Sequence, residues 1–367
     1  MKKSGIVASC RNLREGPFVL MLALAMVLLP LSAVHGASKT YLQHNLVSNG
    51  TLEADHIDPQ LVNAWGIAFN PNAFVWVADN RIGVATLYDG SGVKQPLVVT
   101  IPSPVGGGAS TPTGIVYNGT PDFTVTRGET SGTAIFIFAT EDGTISAWVP
   151  SVDPTNAIRV VSNSSSGTVY KGLVLAANGT GNFLYATDFH NGKIDVFDRD
   201  FKFVVTSGTF KDPDVPDGYA PFGIRNLDGN LYVTYAMQDE ARHDDVPGKG
   251  HGYVRIFDTD GNLIRRIASP GKLNSPWGVA IAPADFGTFS NRLLVGNSGD
   301  GTINAFDVAS GKPLGQLRNH VGGVIKIEGL RGLSFGNGVE NQPTNVLFFT
   351  AGPDNENSGL YGFIEPE

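Results

Sequence analysis

The stretch Phe183-Leu184-Tyr185-Ala186-Thr187-Asp188-Phe189-His190-Asn191-Gly192-Lys193-Ile194-Asp195-Val196-Phe197-Asp198 decides the fold. It holds two short runs, rich in β-branched and aromatic residues, joined through Asn191-Gly192. That dipeptide accepts the positive φ angles of a tight hairpin turn. Working outward, Tyr170-Lys171-Gly172 opens a preceding apolar strand, Leu173–Ala176. Phe203–Thr206 supplies a following one, so four short strands run in succession.

The same unit recurs. Six segments open with two residues and a glycine before an apolar strand: Ala64-Trp65-Gly66, Pro112-Thr113-Gly114, Tyr170-Lys171-Gly172, Pro221-Phe222-Gly223, Pro276-Trp277-Gly278 and Leu330-Arg331-Gly332. The repeat length, about fifty residues, fits one four-stranded blade with its loops. In the first unit the strands are Ile67–Phe69, Phe74–Ala78, Val84–Tyr88 and Gln95–Ile101. In the fifth they are Val279–Ala282, Leu293–Val295, Thr302–Phe306 and Pro313–Leu317. No 3.6-residue apolar period interrupts them. The third strand often ends in an aromatic and an aspartate, as in Tyr88-Asp89, Phe197-Asp198, Phe257-Asp258 and Phe306-Asp307. Such an aspartate can cap the next turn with its carboxylate.

These features predict an all-β, six-bladed β-propeller. The sixth unit ends after its third strand, Gly359–Ile364, while Tyr41–Ser48 stands as a strand without a unit. The ring is therefore expected to close by Tyr41–Ser48 completing the last blade, which removes an exposed edge. The blade pattern resembles NHL-repeat propellers, carried best by Pro221-Phe222-Gly223 with Leu231–Thr234 and by the stretch quoted first. From about residue 41 to 365 the chain also resembles a family of exported bacterial propellers known mainly as conserved hypothetical proteins. That resemblance implies fold and export, and no particular activity.

The N-terminus is a separate object. Lys2, Lys3, Arg11 and Arg14 precede an apolar run from Phe18 to Leu29, with small residues after it. Charge, length and order are those of a secretory signal peptide. Residues 1–36 are expected to be removed, leaving a single propeller domain over residues 37–367, periplasmic or secreted and not stably inserted in the membrane. Residues 1–36 hold four basic residues and one acidic one. Residues 37–367 thus carry −11, against −8 for the whole chain. Such a charge disfavours nucleic acid and anionic membranes as partners. The lone cysteine, Cys10, lies before residue 37, which leaves no disulfide or thiolate chemistry to the domain.

In an antiparallel meander the loops alternate between faces, so the B–C and D–A loops of all blades share one face. The polar residues concentrate there: Asp79-Asn80-Arg81, Glu141-Asp142, Asp188-Phe189-His190-Asn191, Asn297-Ser298-Gly299-Asp300, Asp354-Asn355-Glu356, and a long charged loop from Met237 to Gly252. This loop face could hold Ca²⁺ or another divalent cation. Asp188, His190, Glu240 and Asp300 are the candidate ligands. Asp188 and His190 lead, because alternate residues of an extended segment point the same way. They are also the candidate catalytic pair. Against this stands the ordinary use of such acids, which is to bond the backbone of their own turns. Trp65, Lys171, Phe222, Trp277 and Arg331 are expected to ring the channel mouth, where they suit a polar or anionic ligand or, for the three aromatics and by preference, simply pack between blades. His243 and His251 on the long loop are further candidate ligand contacts.

Two functions compete. The favoured one is an extracytoplasmic module that binds a small molecule, an extracellular protein or a polysaccharide through its B–C/D–A loop face. The alternative is a metal-dependent hydrolase or lyase, as in lactonase-like and streptogramin-lyase-like six-bladed propellers. Those propellers imply acid–base work by a central cation or a channel histidine. The chain shows no P-loop, no H-E-x-x-H, no dinucleotide fingerprint and no complete nucleophile elbow.

Overall fold

The structure is a computed structural model that describes Met1 and residues 39–367 apart from 106, 107, 109, 269 and 270. The expected signal peptide therefore lies outside the described residues. Five four-stranded antiparallel sheets and one five-stranded sheet form the six blades; the fifth strand of the last, His56–Ile57, pairs parallel with Tyr41–Ser48. The inner-to-outer order of the third is Tyr170–Ala177, Asn182–Asp188, Lys193–Phe197 and Phe203–Val204, and the others repeat it. The six innermost strands, Ala64–Phe69, Pro112–Tyr117, Tyr170–Ala177, Tyr219–Leu227, Pro276–Ile281 and Leu330–Phe335, neighbour one another in a closed ring.

The six opening glycines explain how the ring closes so tightly. A Cβ on Gly66, Gly114, Gly172, Gly223, Gly278 or Gly332 would come closer than 3.0 Å to the backbone of the next blade's inner strand. No side chain fits there, so the position is read in sequence as a repeated glycine. A threonine strengthens three of the joints. Thr187, Thr234 and Thr350 each accept the N–H of the glycine in their own blade, and Thr187 and Thr350 donate to the carbonyls of Phe222 and Trp65 in the next.

Closure follows the expected route. Tyr41–Ser48 pairs antiparallel with Leu360–Pro366, from Tyr41 opposite Pro366 to Ser48 opposite Leu360, with a bulge between Asn45 and Val47. Tyr41 is fully buried, and its hydroxyl donates to the Phe286 carbonyl at 3.0 Å and accepts from the Phe289 N–H at 3.1 Å. The closing strand therefore also ties blade six to blade five. The aspartates after the third strands cap turns as expected. Asp89 accepts the N–H groups of Ser91 and Val93, Asp198 those of Asp200 and Lys202, and Asp258 those of Asp260 and Asn262.

Some details differ from the sequence expectation, and the outer strand expected over Phe203–Thr206 covers Phe203–Val204. The outer strand expected over Gln95–Ile101 shortens to Val99–Thr100, because Pro96 has no N–H to give the ladder. Blade two carries an added hairpin, Thr124–Arg127 with Thr130–Thr133, between its first and second strands. Its flank buries Phe123 against Phe201 of blade three. Among the described residues no helix is long and apolar enough to cross a membrane.

Candidate functional site

The residues just before the opening glycines gather at the mouth of the channel, and there the aromatic ones pack on one another. Trp65 lies edge-on to Phe222 and to Trp277, with ring centroids 6.1 and 5.7 Å away. Phe189, which follows the second strand of blade three, completes this buried cluster. Two cations lie over the Trp65 ring, Lys171 at 4.9 Å and Arg331 at 4.4 Å. Both are almost wholly buried, at 1% and 5% exposure. The mouth is thus a packed plug of aromatic rings with a cation on either side, not an open pore.

Buried cations need partners, and these come from the loops. Lys171 donates to Glu141 of blade two and, at 3.1 Å, to Asp244 of the long blade-four loop. Arg331 donates to Glu356 at 2.7 Å. The two ion pairs are joined by amides: Asn63 donates to Glu356 and to Asn80, both at 3.0 Å, and Asn80 donates to Glu141 at 2.9 Å. A continuous polar chain thus links blades six, one, two, three and four. At its end His243 Nδ1 stands 3.1 Å from Asp244.

The charges tune one another. Burial lowers the Lys171 pKa, but Glu141 and Asp244 more than offset it, and the net shift is upward. The bond from His243, with Lys171 behind it, holds the Asp244 carboxyl well below its usual range. The same bond raises His243 above its ordinary value. Beside this network opens a cleft of about 350 Å³ between blades four, five and six. Asp244, Asp245, Glu328 and Glu356 wall it, and Arg331 lies at its base.

The residues singled out from the sequence fall into two groups. Trp65, Lys171, Phe222, Trp277 and Arg331 sit together at the mouth, and His243 joins the network. Asp188, His190, Glu240 and Asp300 are not brought together. Asp188 is fully buried and accepts from Thr168, from the Val169 N–H and from the backbone and side chain of Asn191. Asp300 accepts from Asn297 and from the backbone and hydroxyl of Thr302. Asp300 holds its own turn, and Asp188 ties its turn to the loop that enters the same blade. His190 lies at the rim with its carbonyl bound by Gln238, Glu240 is exposed, and His251 pins the long loop by its bond to the Val246 carbonyl at 2.9 Å.

Among the described residues one trio of ligating side chains converges: Glu141, His243 and Asp244, whose ligand atoms lie within 4.8 Å of one another. Glu141 and Asp244 carry more of the site than their place in the sequence announces. The usable signal for Glu141 was its position directly after the second strand of its blade. Asn80 and Phe189 occupy that position in blades one and three, and both face the mouth.

Comparison with known proteins supports the architecture. No family model matches the chain. Uncharacterized protein R648 of Acanthamoeba polyphaga mimivirus is 38% identical over 335 residues, covering 89% of this chain and 81% of that protein. Uncharacterized protein L690 of the same virus is 35% identical over 337 residues, covering 89% and 86%. Among solved structures, a streptogramin B lyase superposes with a TM-score of 0.52 at 11% identity, over 89% of this chain and 97% of the other. A gluconolactonase from Xanthomonas campestris gives 0.52 at 14%, over 84% and 87%. A glucose dehydrogenase gives 0.53 at 13%, over 89% and 99%. At such identities the likeness shows the propeller fold alone.

Proposed function

We propose, for a chain that belongs to the family of the mimivirus proteins R648 and L690, that it is an exported binding module whose loop-face cleft takes a small polar ligand without the help of a metal. Export rests on the basic and apolar run of residues 1–36. The ligand class rests on the cleft: four carboxylates on its walls favour a molecule bearing an amine or several hydroxyl groups. Its volume, about 350 Å³, suits a small molecule better than a protein surface.

One observation carries the metal-free reading. The buried ammonium of Lys171 already stands between Glu141 and Asp244, where a cation would otherwise sit. A divalent ion about 4 Å from that ammonium would be repelled by about 8 kcal/mol at an effective dielectric near 20. That is roughly the whole binding free energy of a micromolar site. Lys171 is therefore the cluster's own counter-ion.

The second reading, a metal-dependent hydrolase or lyase, draws on the convergence of Glu141, His243 and Asp244 within 4.8 Å. Elemental analysis of the purified protein, with melting followed with and without chelator, separates the two. The binding module predicts no stoichiometric metal and unchanged melting. One metal per chain, lost to chelator together with more than about 2 kcal/mol of stability, would establish the second reading.

A further inference from the structure

The far end of the channel holds a cation of a different kind. Two residues beyond each opening glycine, the inner strands place Ala68, Val116, Val174, Arg225, Ala280 and Ser334. Five are small or apolar and one is a guanidinium. Arg225 reaches from blade four to blade six, and its Nη2 donates to the Ser334 hydroxyl at 2.9 Å. Among the described residues no carboxylate lies within 4.0 Å of it. Arg225 is half-buried, whereas the buried cations are all matched: Lys171 by Glu141, Arg255 by Asp212 and Arg331 by Glu356. Burial also pushes the Arg225 pKa down, the direction of a charge with no anion beside it.

Space lies next to it. Above Arg225 the axial channel is only about 30 Å³, enough for a water. Below it a cavity of about 250 Å³ opens between blades one, two, three and four. Most of its lining side chains are apolar, among them Ala68, Val116, Val174 and Phe69, while polar atoms make up more than half of its exposed surface. Asn226, also in the lining, donates to the Leu175 carbonyl at 3.0 Å. A guanidinium has five donors in a planar fork, and Arg225 commits one of them.

We propose that Arg225 anchors a second ligand site, on the face opposite the loop cleft, for a small monocarboxylate with a short apolar tail. A planar carboxylate matches the fork with two parallel bonds, and the apolar side chains of the lining, Ala68, Val116 and Val174, leave room for a short tail only. One cation with no second one beside it suits a monoanion better than a phosphate dianion. The proposal does not depend on what the loop cleft binds.

Calorimetric titration of the purified chain with butyrate tests it, with butyramide and inorganic phosphate as controls. Saturable butyrate binding is expected, at least about tenfold weaker in Arg225→Met and about threefold weaker in Arg225→Lys, with butyramide silent. Arg225→Lys keeps a positive charge across the channel, so it guards against a folding failure of the first variant. Three results would overturn the proposal: no saturable butyrate binding up to about 10 mM, tenfold above a 1 mM affinity; butyrate binding unchanged in both variants; or phosphate binding as tightly as butyrate.

Discussion

The B–C loops of blades three and four start from the same element and use their acids in opposite ways. In blade three the loop is short, and Asp188 turns back to bind the backbone and side chain of Asn191. In blade four the loop runs from Met237 to Gly252 and is pinned by its own bonds, Asp239 to the His243 and Asp244 N–H groups and His251 to Val246. The pinning frees Asp244 to reach Lys171 across a blade boundary. An acid in a tight turn is consumed by the turn. An acid on a loop with a separate internal brace can serve another blade.

The largest test of that contrast is Lys171→Met. It leaves Glu141 and the reach of Asp244 without their shared cation, and a loss of about 3–5 kcal/mol is expected from urea denaturation, as for breaking a buried ion pair. A loss below about 1 kcal/mol would mean that the ammonium does not hold the two blades together. Next comes Asp188→Ala, which strips a fully buried turn of its acceptor and should cost about 1–3 kcal/mol in the same assay. Asp244→Ala should cost less than about 1 kcal/mol, since its side chain is 61% exposed and Glu141 still holds Lys171. Equal losses in the two aspartate variants would erase the contrast between the loops.

The smallest expected effect is a pH dependence confined to blade four. The His243 pKa is raised in the folded state by its bond to Asp244. Its contribution to stability is thus complete below the ordinary value of 6.5 and is lost as pH rises through the higher folded value. Asp244 is depressed, so its contribution is present above 3.8 and is lost as pH falls through its lower folded value. An NMR titration should find the His243 pKa lowered toward 6.5 in Asp244→Asn. No movement would show that the pair does not form in solution.

The sequence carried the fold because its decisive residues are local and repeated. Gly66 and its five counterparts fail to accept any side chain against the next blade, so the repeat is visible one residue at a time. Tyr41–Ser48 pointed to ring closure because it reads as a strand outside the six units, and it pairs with Leu360–Pro366. The outer strand of blade one was less legible, since Pro96 interrupts a run that otherwise alternates like a strand. The site was legible at the mouth, where Trp65, Lys171 and Arg331 sit at fixed places in the repeat. It was not legible between blades. Asp188 and His190 obey the alternation of a strand only on paper, because the strand ends at Asp188 and the chain turns. Glu141, Lys171 and Asp244 come from three blades, and no local pattern marks their meeting.

Lys171 is the cation that Glu141 and Asp244 share. Calorimetric titration of the purified protein with Zn²⁺, Mn²⁺ and Ca²⁺, beside Lys171→Met, tests this most directly. No saturable binding is predicted in the unaltered protein, and binding should appear in the variant, where the two carboxylates and His243 are left without the ammonium. Stoichiometric micromolar binding by the unaltered protein, unchanged in Lys171→Met, would contradict it.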